Sequence, residues 1–179
     1  MSNLLTLPCY GEDGCLNVVV EAPRGASIKL KYEPALEAFT VSRALPMGLT
    51  YPFDWGFIPQ TLAPDGDPLD VLAIHDGITH PGVLLRCRPL GVVELEQDAE
   101  EGGRERNDRV IAMPTWHDRM GEFEKATDLP ARLREEIEHF FLDATFFTAK
   151  KPKILRWRGT KRAAAVISKA TQQFAASRP

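Results

Sequence analysis

Apolar and polar residues alternate along several short segments in the first two thirds of the chain. Residues 28–33 alternate strictly and residues 39–43 alternate as well, so each segment is predicted to form a half-buried strand. Apolar segments at residues 16–21 and 71–74 have the length of a strand, and residues 83–95 are long enough for one strand or two. This part of the chain therefore favours a sheet of short strands.

The last third of the chain changes to a helical period. Pro130 suits the first turn of one helix, which Thr127 or Asp128 is expected to cap, and Thr160 is expected to cap a second helix. Each helix has one apolar stripe that is expected to face the core. The stripes consist of Leu133, Ile137, Phe140, Phe141 and Ala144 in the first helix and Ala163, Val166, Ile167, Ala170 and Phe174 in the second.

The order of these elements predicts the fold class. Further strands are predicted at residues 109–113 and 154–157, whereas residues 51–59 are expected to be rigid and irregular and residues 97–107 to be an exposed loop. Many short strands followed by two helices predict an α+β fold: a small, mostly antiparallel β-barrel with two flanking C-terminal helices. With 179 residues, we expect one domain over residues 1–179.

Composition and charge exclude several classes of protein. Hydrophobic residues make up 44% and charged residues 26% of the chain, which is ordinary for a globular protein. The net charge of −3 argues against a protein-wide nucleic-acid surface, and no apolar segment is long enough to span a membrane. Three cysteines without a Cys-x-x-Cys pair do not make a disulfide framework. We therefore expect a cytoplasmic protein without a nucleic-acid or membrane partner.

Three carboxylates are concentrated in the segment Asp65-Gly66-Asp67-Pro68-Leu69-Asp70. Gly66 and Pro68 favour a tight turn, and the apolar residues that follow predict that this turn leads into a buried strand. Clustered carboxylates repel one another, so their concentration on a rigid turn points to a hard cation. Mg²⁺ fits, because it takes oxygen ligands and commonly shares its shell with substrate phosphates.

Two other interpretations of this turn are weaker. An isolated Asp-Gly pair is usually only a turn former, but three acids around Gly and Pro reverse that preference. A calcium loop between two helices would place its glycine elsewhere and would need a distal Glu. The alternating strand adds Lys29, Lys31 and Glu33 on one polar face. That face is either solvated or, if it lies opposite the acidic turn, a phosphate-and-metal surface.

Residues 65–72, Asp-Gly-Asp-Pro-Leu-Asp-Val-Leu, resemble the signature of the soluble family I inorganic pyrophosphatases. The likeness extends through Glu21-Ala22-Pro23, Lys31-Tyr32-Glu33, Arg43, Tyr51-Pro52 and residues 81–91, and more weakly through residues 110–114 and His139-Phe140-Phe141. The resemblance implies an OB-type five-stranded barrel, dependence on Mg²⁺ with Mn²⁺ as the alternative, and hydrolysis of pyrophosphate to two phosphates. It also implies a homo-oligomer, often a hexamer.

The same resemblance implies roles for individual residues. The implied metal ligands are Asp65, Asp67 and Asp70, with Glu21 and Glu33 acting through water. The implied catalytic residues are Asp67, which accepts a proton from the attacking water, together with Lys31, Arg43 and Tyr51. The implied substrate-binding residues are Lys31, Arg43, Tyr51 and Arg109. Phosphoryl transfer needs positioning and charge neutralisation more than covalent help, which agrees with this set.

The chain departs from the family pattern at several positions. Trp55 stands where the family has a second Tyr, and Ala144-Thr145 stand where it has a Tyr-Lys pair, for which Lys150 or Lys151 is a candidate replacement. The family's Asp, short loop and Asp-x-Lys correspond to Gln97-Asp98, a longer loop and Asn107-Asp108-Arg109, where Asp98 or Asp108 is a candidate for the lost charge. These departures leave two alternatives open: a related phosphohydrolase that acts on another phosphoanhydride, and an OB-fold oligonucleotide-binding module.

Overall fold

A closed barrel of five strands forms the centre of the computed structural model, which describes residues 3–116 and 123–177. The barrel order is β1-β4-β5-β8-β6, and β6 pairs back onto β1. Only the pair β5–β8 is parallel among these neighbours. The strands are β1 (Leu16–Ala22), β2 (Ile28–Glu33), β3 (Ala38–Ala44), β4 (Asp54–Ile58), β5 (Leu69–Ala73), β6 (Leu84–Asp98), β7 (Arg104–Arg106), β8 (Arg109–Pro114) and β9 (Lys153–Gly159).

The remaining strands extend this barrel. Strands β2 and β3 form a separate antiparallel hairpin, while β7 and β9 both pair with the long strand β6. The predicted α+β fold, a small and mostly antiparallel barrel with two C-terminal helices, is therefore confirmed. Short 3₁₀ turns at Leu4–Thr6 and Ala126–Asp128 complete the described elements.

The two helices are α1 (Ala131–Asp143) and α2 (Thr160–Ala176), and their caps differ from the prediction. Pro130 is the N-cap of α1, and neither helix has a side-chain capping bond, so the capping roles predicted for Thr127, Asp128 and Thr160 are wrong. The reason at α2 is its direct continuation from β9, because Gly159 ends the strand with extended backbone and is itself the N-cap.

Two segments that were expected to be irregular contain strands. Within residues 51–59, β4 pairs with both β1 and β5. Gly56 allows this approach, because a Cβ there would lie 2.0 Å from the carbonyl oxygen of Val19. Within residues 97–107, the end of β6 and β7 form a hairpin. Residues 83–95 contain one continuous strand with a bulge at Leu90.

Two large apolar clusters lie on opposite sides of the barrel strands. One cluster takes residues from all five barrel strands and includes Ile167 and Ala170 of α2. The other packs Ile137, Phe140 and Phe141 of α1 against a second set of barrel residues. No described helix is long and apolar enough to cross a membrane, and the three cysteines are free thiols. Both helices therefore pack against the barrel wall and hold it in place. The acidic turn lies at one end of this barrel.

Candidate functional site

The acidic turn is built by local hydrogen bonds just before β5. Gly66 has a φ of 81°, a left-handed conformation that favours glycine, and its N–H donates to the carbonyl of Ala63 at 3.0 Å. The N–H of Asp67 donates to the side chain of Asp65 at 3.3 Å, and the Asp67 carbonyl accepts from the Ala63 N–H at 2.8 Å. The turn therefore holds Asp65 and Asp67 in fixed positions next to Asp70, the second residue of β5.

These acids open into a cavity of about 260 Å³, which we call the acidic cavity. Strands β1 and β2 form its other walls, so the polar face of β2 lies opposite the acidic turn rather than in open solvent. The charged residues of its lining are Glu21, Lys29, Lys31, Glu33, Asp65, Asp67, Asp70, Arg109 and Lys150. The structure thus brings together all five residues that the resemblance implies as metal ligands.

Each acid of the turn accepts a hydrogen bond from a different basic or amide group. The ammonium group of Lys31 donates to Asp67 Oδ1 at 2.8 Å, and both side chains are about half exposed. The guanidinium of Arg109 donates to Asp70 and also to the side-chain oxygen of Asn107. The amide of Asn107 donates to Asp65 Oδ2 at 2.9 Å. Asn107 and Arg109 therefore connect the acidic turn to the start of β8.

Burial shifts the proton equilibria of several groups in this cavity. It raises the pKa of Glu21 to about 7, although a hydrogen bond from the Tyr32 N–H at 2.9 Å works in the opposite direction. Burial, together with the charge of Asp70, also raises the pKa of Asp65. The hydrogen bond to Asp67 raises the pKa of Lys31, which therefore stays charged. Burial therefore disfavours the charged forms of Glu21 and Asp65, and a cation bound beside them would favour those forms.

Two β-bulges direct side chains towards the site, which is a common role of bulges. Glu21 is the extra residue of β1 between Val20, which pairs with Gly56, and Ala22, which pairs with Trp55. In the β2–β3 hairpin, Ser42 is the extra residue, because Arg43 pairs with Lys29 whereas Val41 pairs with Leu30. Directly paired residues share a face of a sheet. The second bulge therefore turns Arg43 towards the face that carries Lys29.

A smaller second cavity of about 40 Å³ adjoins the acidic cavity. Lys29 and Arg109 line both cavities, and Arg43, Tyr51 and Thr145 line only the second. Tyr51 is buried, and burial raises the pKa of its hydroxyl, which stays protonated and can donate a hydrogen bond. We refer to this space as the second cavity.

Trp55 is a further part of the second cavity. Its ring packs against the guanidinium of Arg109, with 5.1 Å between the guanidinium carbon and the ring centroid. Its indole N–H is buried and has no hydrogen-bond acceptor among the described residues. A buried donor without an acceptor is costly, so this cavity fits a ligand that brings acceptor oxygens.

The donor set of the acidic cavity fits a hard cation. All its candidate ligands are carboxylates, and hard divalent cations take oxygen ligands of this kind. Within residues 3–116 and 123–177, no three His, Cys, Asp or Glu side chains converge as a formed metal site. Asp65, Asp67 and Asp70 instead accept hydrogen bonds from Asn107, Lys31 and Arg109.

The candidate replacements for the family residues are placed differently. Asp108 accepts hydrogen bonds from Arg106 and the Leu95 N–H and does not line the acidic cavity, so it does not supply the lost charge there. Asp98 accepts from Arg104, at the rim of an open groove beyond Asp65 and Asp67. Of the two lysines near residue 150, Lys150 lines the acidic cavity and Lys151 does not.

Lys29 is the residue of this site that was not assigned a role from the sequence. Its position on the polar face of β2, two residues before Lys31, was the only signal for it. That alternation could not distinguish a solvated face from a face turned into a cavity.

The barrel and this combination of side chains define a class of protein: an α+β barrel with carboxylates, lysines and arginines around a cavity at one end. The chain matches the family described as inorganic pyrophosphatase over residues 18–175. The chain belongs to the inorganic pyrophosphatase family, a family of metal-dependent hydrolases, and the resemblance noted from the sequence is confirmed.

Individual relatives agree with this assignment. An inorganic pyrophosphatase of Thermus thermophilus is 38% identical over 168 residues, which cover 91% of this chain and 93% of the relative. One from Nostoc is 30% identical over 172 residues, covering 96% and 99%. The crystal structure of inorganic pyrophosphatase from Thermus thermophilus matches with a TM-score of 0.87 at 33% identity, covering 97% and 99%.

Proposed function

We propose that this chain hydrolyses inorganic pyrophosphate to two phosphates and that it uses Mg²⁺, with Mn²⁺ as the alternative cofactor. The observation that carries the proposal is the acidic cavity, where Asp65, Asp67 and Asp70 lie opposite Lys31 and next to the cationic second cavity. An anionic substrate with two phosphate groups matches an arrangement in which metal-binding oxygens and cations lie side by side.

Five carboxylates would hold the metal: Asp65, Asp67 and Asp70 directly, and Glu21 and Glu33 through water. The bound metal supplies positive charge that neutralises phosphate oxygens and lowers the pKa of a water molecule. The chain's own residues then position the reactants. Lys31 and Arg43 neutralise phosphate oxygens, and Arg109 does so from the junction of the two cavities. Tyr51, protonated because it is buried, donates a hydrogen bond to the substrate.

Asp67 is the proposed proton acceptor. Its Oδ1 accepts from Lys31, while the side chain stays about half exposed and can reach a water molecule. As the water oxygen bonds to phosphorus, its proton passes to Asp67. The bond between that phosphorus and the bridging oxygen breaks, and the leaving phosphate keeps the electron pair. General-base catalysis of this kind contributes about 10²- to 10⁴-fold to a rate.

The decisive experiment is phosphate release from pyrophosphate. We expect release with Mg²⁺ or Mn²⁺, loss of release after treatment with EDTA, and recovery when the metal is added back. Absence of release with either metal would contradict the proposal. Tripolyphosphate and ATP belong in the same assay, because release from one of them but not from pyrophosphate would support the related phosphohydrolase instead.

We further propose a single pyrophosphatase-like domain over residues 1–179, a homo-oligomer with a hexamer as the expected size, and a cytoplasmic location. The family match over residues 18–175 supports the single domain. Large exposed apolar side chains, such as Met47, Ile78 and Phe147, support self-association. Free thiols support a reducing compartment. Light scattering on the purified chain measures the oligomer size directly.

A further inference from the structure

A further cavity of about 170 Å³ lies between α2 and the segment that leads into the acidic turn, and we call it the rear cavity. It shares no lining residue with the acidic cavity or the second cavity. From α2, Arg162, Val166, Lys169 and Gln173 line it at helical spacing, and residues 62–64 contribute an apolar wall. Drug-sized ligands occupy larger sites, of about 300–1,000 Å³, so a ligand of the rear cavity is small.

Buried Glu94 holds two arginines side by side at this cavity. Its Oε1 accepts a hydrogen bond from the Nε of Arg162 at 2.8 Å and lies 3.4 Å from the Nη2 of Arg106. The side chain of Glu94 is only 6% exposed, and Arg156 donates to its other oxygen at 2.9 Å. Two guanidinium groups that share one acceptor atom are neighbours, so Glu94 positions a pair of arginines before any ligand binds.

Positive charge exceeds negative charge around the rear cavity. Its lining has three cations and one acid, a formal charge of +2: Arg106, Arg162, Lys169 and Asp108. The charge of Glu94 behind them is balanced by Arg156. Lys169 is exposed and forms no hydrogen bond or ion pair within residues 3–116 and 123–177. A dianion such as a phosphate monoester matches this charge, and guanidinium groups suit phosphate oxygens particularly well.

The wall of the rear cavity is also the support of the acidic turn. Ala63, which lines the cavity, accepts from the Gly66 N–H at 3.0 Å, and its own N–H donates to the Asp67 carbonyl at 2.8 Å. The preceding N–H, of Leu62, donates to the Ala170 carbonyl of α2 at 3.0 Å. A ligand between α2 and this segment therefore contacts the residues that hold the turn.

A second connection runs through the start of β8. Arg106 and Asp108 line the rear cavity and flank Asn107 in the sequence. The amide of Asn107 points the other way and donates to Asp65 Oδ2 at 2.9 Å. The rear cavity and the acidic cavity thus lie on opposite sides of the same short segment.

We propose that the rear cavity binds a small organic phosphate, a phosphate monoester with a short apolar group, and that this ligand regulates metal binding at the acidic turn. The arginine pair and Lys169 bind the phosphate, and the apolar wall contacts the organic group. A dianion behind the acidic turn makes the potential in the acidic cavity more negative, which favours a divalent cation there. The regulatory part rests on the proposed function for the metal, whereas the binding site does not.

The probe for binding is phenyl phosphate, which joins a phosphate dianion to an apolar ring. Calorimetry on the full chain, after removal of metal, should show it binding about tenfold more tightly than inorganic phosphate, because the ring buries apolar surface. The charge variant combines Arg162→Gln with Lys169→Met. We expect it to bind phenyl phosphate about 10- to 100-fold more weakly, the usual effect of losing charged hydrogen bonds. Lys161→Met, at an exposed lysine of α2 outside the rear cavity, is the control and should bind as the wild type does.

Ala165→Phe tests the apolar part without changing any charge. Ala165 lines the rear cavity from an exposed position of α2, so a larger side chain there fills the cavity without disturbing the core. We expect about tenfold weaker binding of phenyl phosphate and a Tm within about 2 °C of the wild type. Absence of binding by the wild type, or an unchanged affinity in either variant, would overturn the site.

A Mg²⁺ titration with and without saturating phenyl phosphate tests the regulation. Calorimetry should give a Mg²⁺ affinity about two- to fivefold higher with the probe in the wild type, and no difference in the charge variant. Equal Mg²⁺ affinities in the wild type would overturn the regulatory role. Neither titration measures hydrolysis. A wild type that gives these results but releases no phosphate from pyrophosphate would contradict the proposed function alone.

Discussion

Carboxylates lie at both ends of β5, and the two ends differ in how their charge is satisfied. At the start of the strand, Asp65, Asp67 and Asp70 surround the acidic cavity. Beyond it, His75 contacts Asp54, which pairs with Ala73 at the end of β5. Burial alone would raise the pKa of Asp54, but its hydrogen bonds from His75, Thr79 and the Arg24 N–H outweigh burial and lower it.

The carboxylate of Asp54 accepts hydrogen bonds from three groups on both of its oxygens. The Arg24 N–H donates to Oδ1 at 2.8 Å, and Thr79 and the Nε2 of His75 donate to Oδ2. The Nδ1 of His75 accepts from the Gly77 N–H at 3.1 Å, so the ring proton must be on Nε2. Asp54 and His75 are almost completely buried, with exposed side-chain fractions of 1% and 0%. This carboxylate accepts hydrogen bonds from three groups and lines neither the acidic cavity nor the second cavity.

The carboxylates of the acidic cavity, in contrast to Asp54, face an accessible space. Burial raises the pKa of Asp65 despite its hydrogen bonds from Asn107 and the Asp67 N–H, and Lys29 nearby has no acidic partner among the described residues. The acids of the turn and their cationic partners thus line an accessible space instead of forming a closed network. An enclosed carboxylate with several donors indicates a structural role, whereas carboxylates and cations that line a cavity indicate a place for ligands. Variants at each end should therefore separate activity from stability.

The largest effect is expected for Asp67→Asn. This variant keeps the size of the side chain but cannot accept the proton of the attacking water, so kcat should fall by about 10²- to 10⁴-fold. Stability should change little, because Asp67 is about half exposed and its ion pair with Lys31 is worth no more than about 1 kcal/mol. Phosphate release and urea unfolding measure the two quantities.

Asp143→Asn is the matched control for Asp67→Asn. Asp143 is an exposed carboxylate at the end of α1, away from both cavities, and its loss should alter neither activity nor stability. A rate for Asp67→Asn within threefold of the wild type, on the order of 0.7 kcal/mol, would remove Asp67 from the proposed role.

The next largest effect is expected at the other end of β5, for Asp54→Asn. An asparagine keeps only one acceptor oxygen, so whichever way its amide is turned, its NH2 group faces a donor of this network: the Arg24 N–H on one side, or the Nε2–H of His75 and the Thr79 hydroxyl on the other. Leaving a buried donor unsatisfied should lower the free energy of unfolding by about 2 kcal/mol and the Tm by about 4–8 °C. The kcat per folded molecule should stay at the wild-type value, since Asp54 lines neither cavity.

Acid titration checks the cause of that loss. The folded-state pKa of Asp54 is lowered, so its contribution to stability is complete above its unfolded pKa of about 4 and is lost as the pH falls through the folded value. The difference in unfolding free energy between the wild type and Asp54→Asn should therefore shrink below about pH 4. A difference that stays constant with pH would mean that the charge of Asp54 is not what stabilises the fold.

Features that depend only on residues close together in the sequence could be predicted from the sequence. The acidic turn could be predicted because its acids, Gly66 and Pro68 are consecutive and the chemistry of a turn is local. The apolar stripes of both helices could be predicted for the same reason. Strand β4 was missed because its aromatics and Gly56 resemble an irregular segment, and only the contact with Val19 explains the glycine.

Features that depend on pairing between distant segments could not be predicted. The bulges that aim Glu21 and Arg43 at the site exist only in the register of β1 with β4 and of β2 with β3. The position of Lys29 depends on how the β2–β3 hairpin folds against the barrel. Asp108 looked like a replacement acid from its neighbours in sequence, yet its hydrogen bonds with Arg106 draw it away from the cavity.

The smallest effect is expected for Asn107→Asp, which removes a hydrogen-bond donor from the end of β5 that carries the acidic cavity. Asn107 is buried and donates its amide to Asp65 Oδ2 at 2.9 Å. An aspartate there removes this donor and adds a like charge beside Asp65, so without metal the Tm should fall slightly. With Mg²⁺ the added carboxylate should raise metal affinity about fivefold, on the order of 1 kcal/mol. Thermal unfolding in EDTA and along a Mg²⁺ titration measures both effects.

Gln172→Glu, the same amide-to-acid change on an exposed face of α2, should leave the Mg²⁺ response unchanged. An equal response in the wild type and Asn107→Asp would mean that Mg²⁺ binds out of reach of residue 107, and would locate the metal nearer the Asp67 side of the cavity.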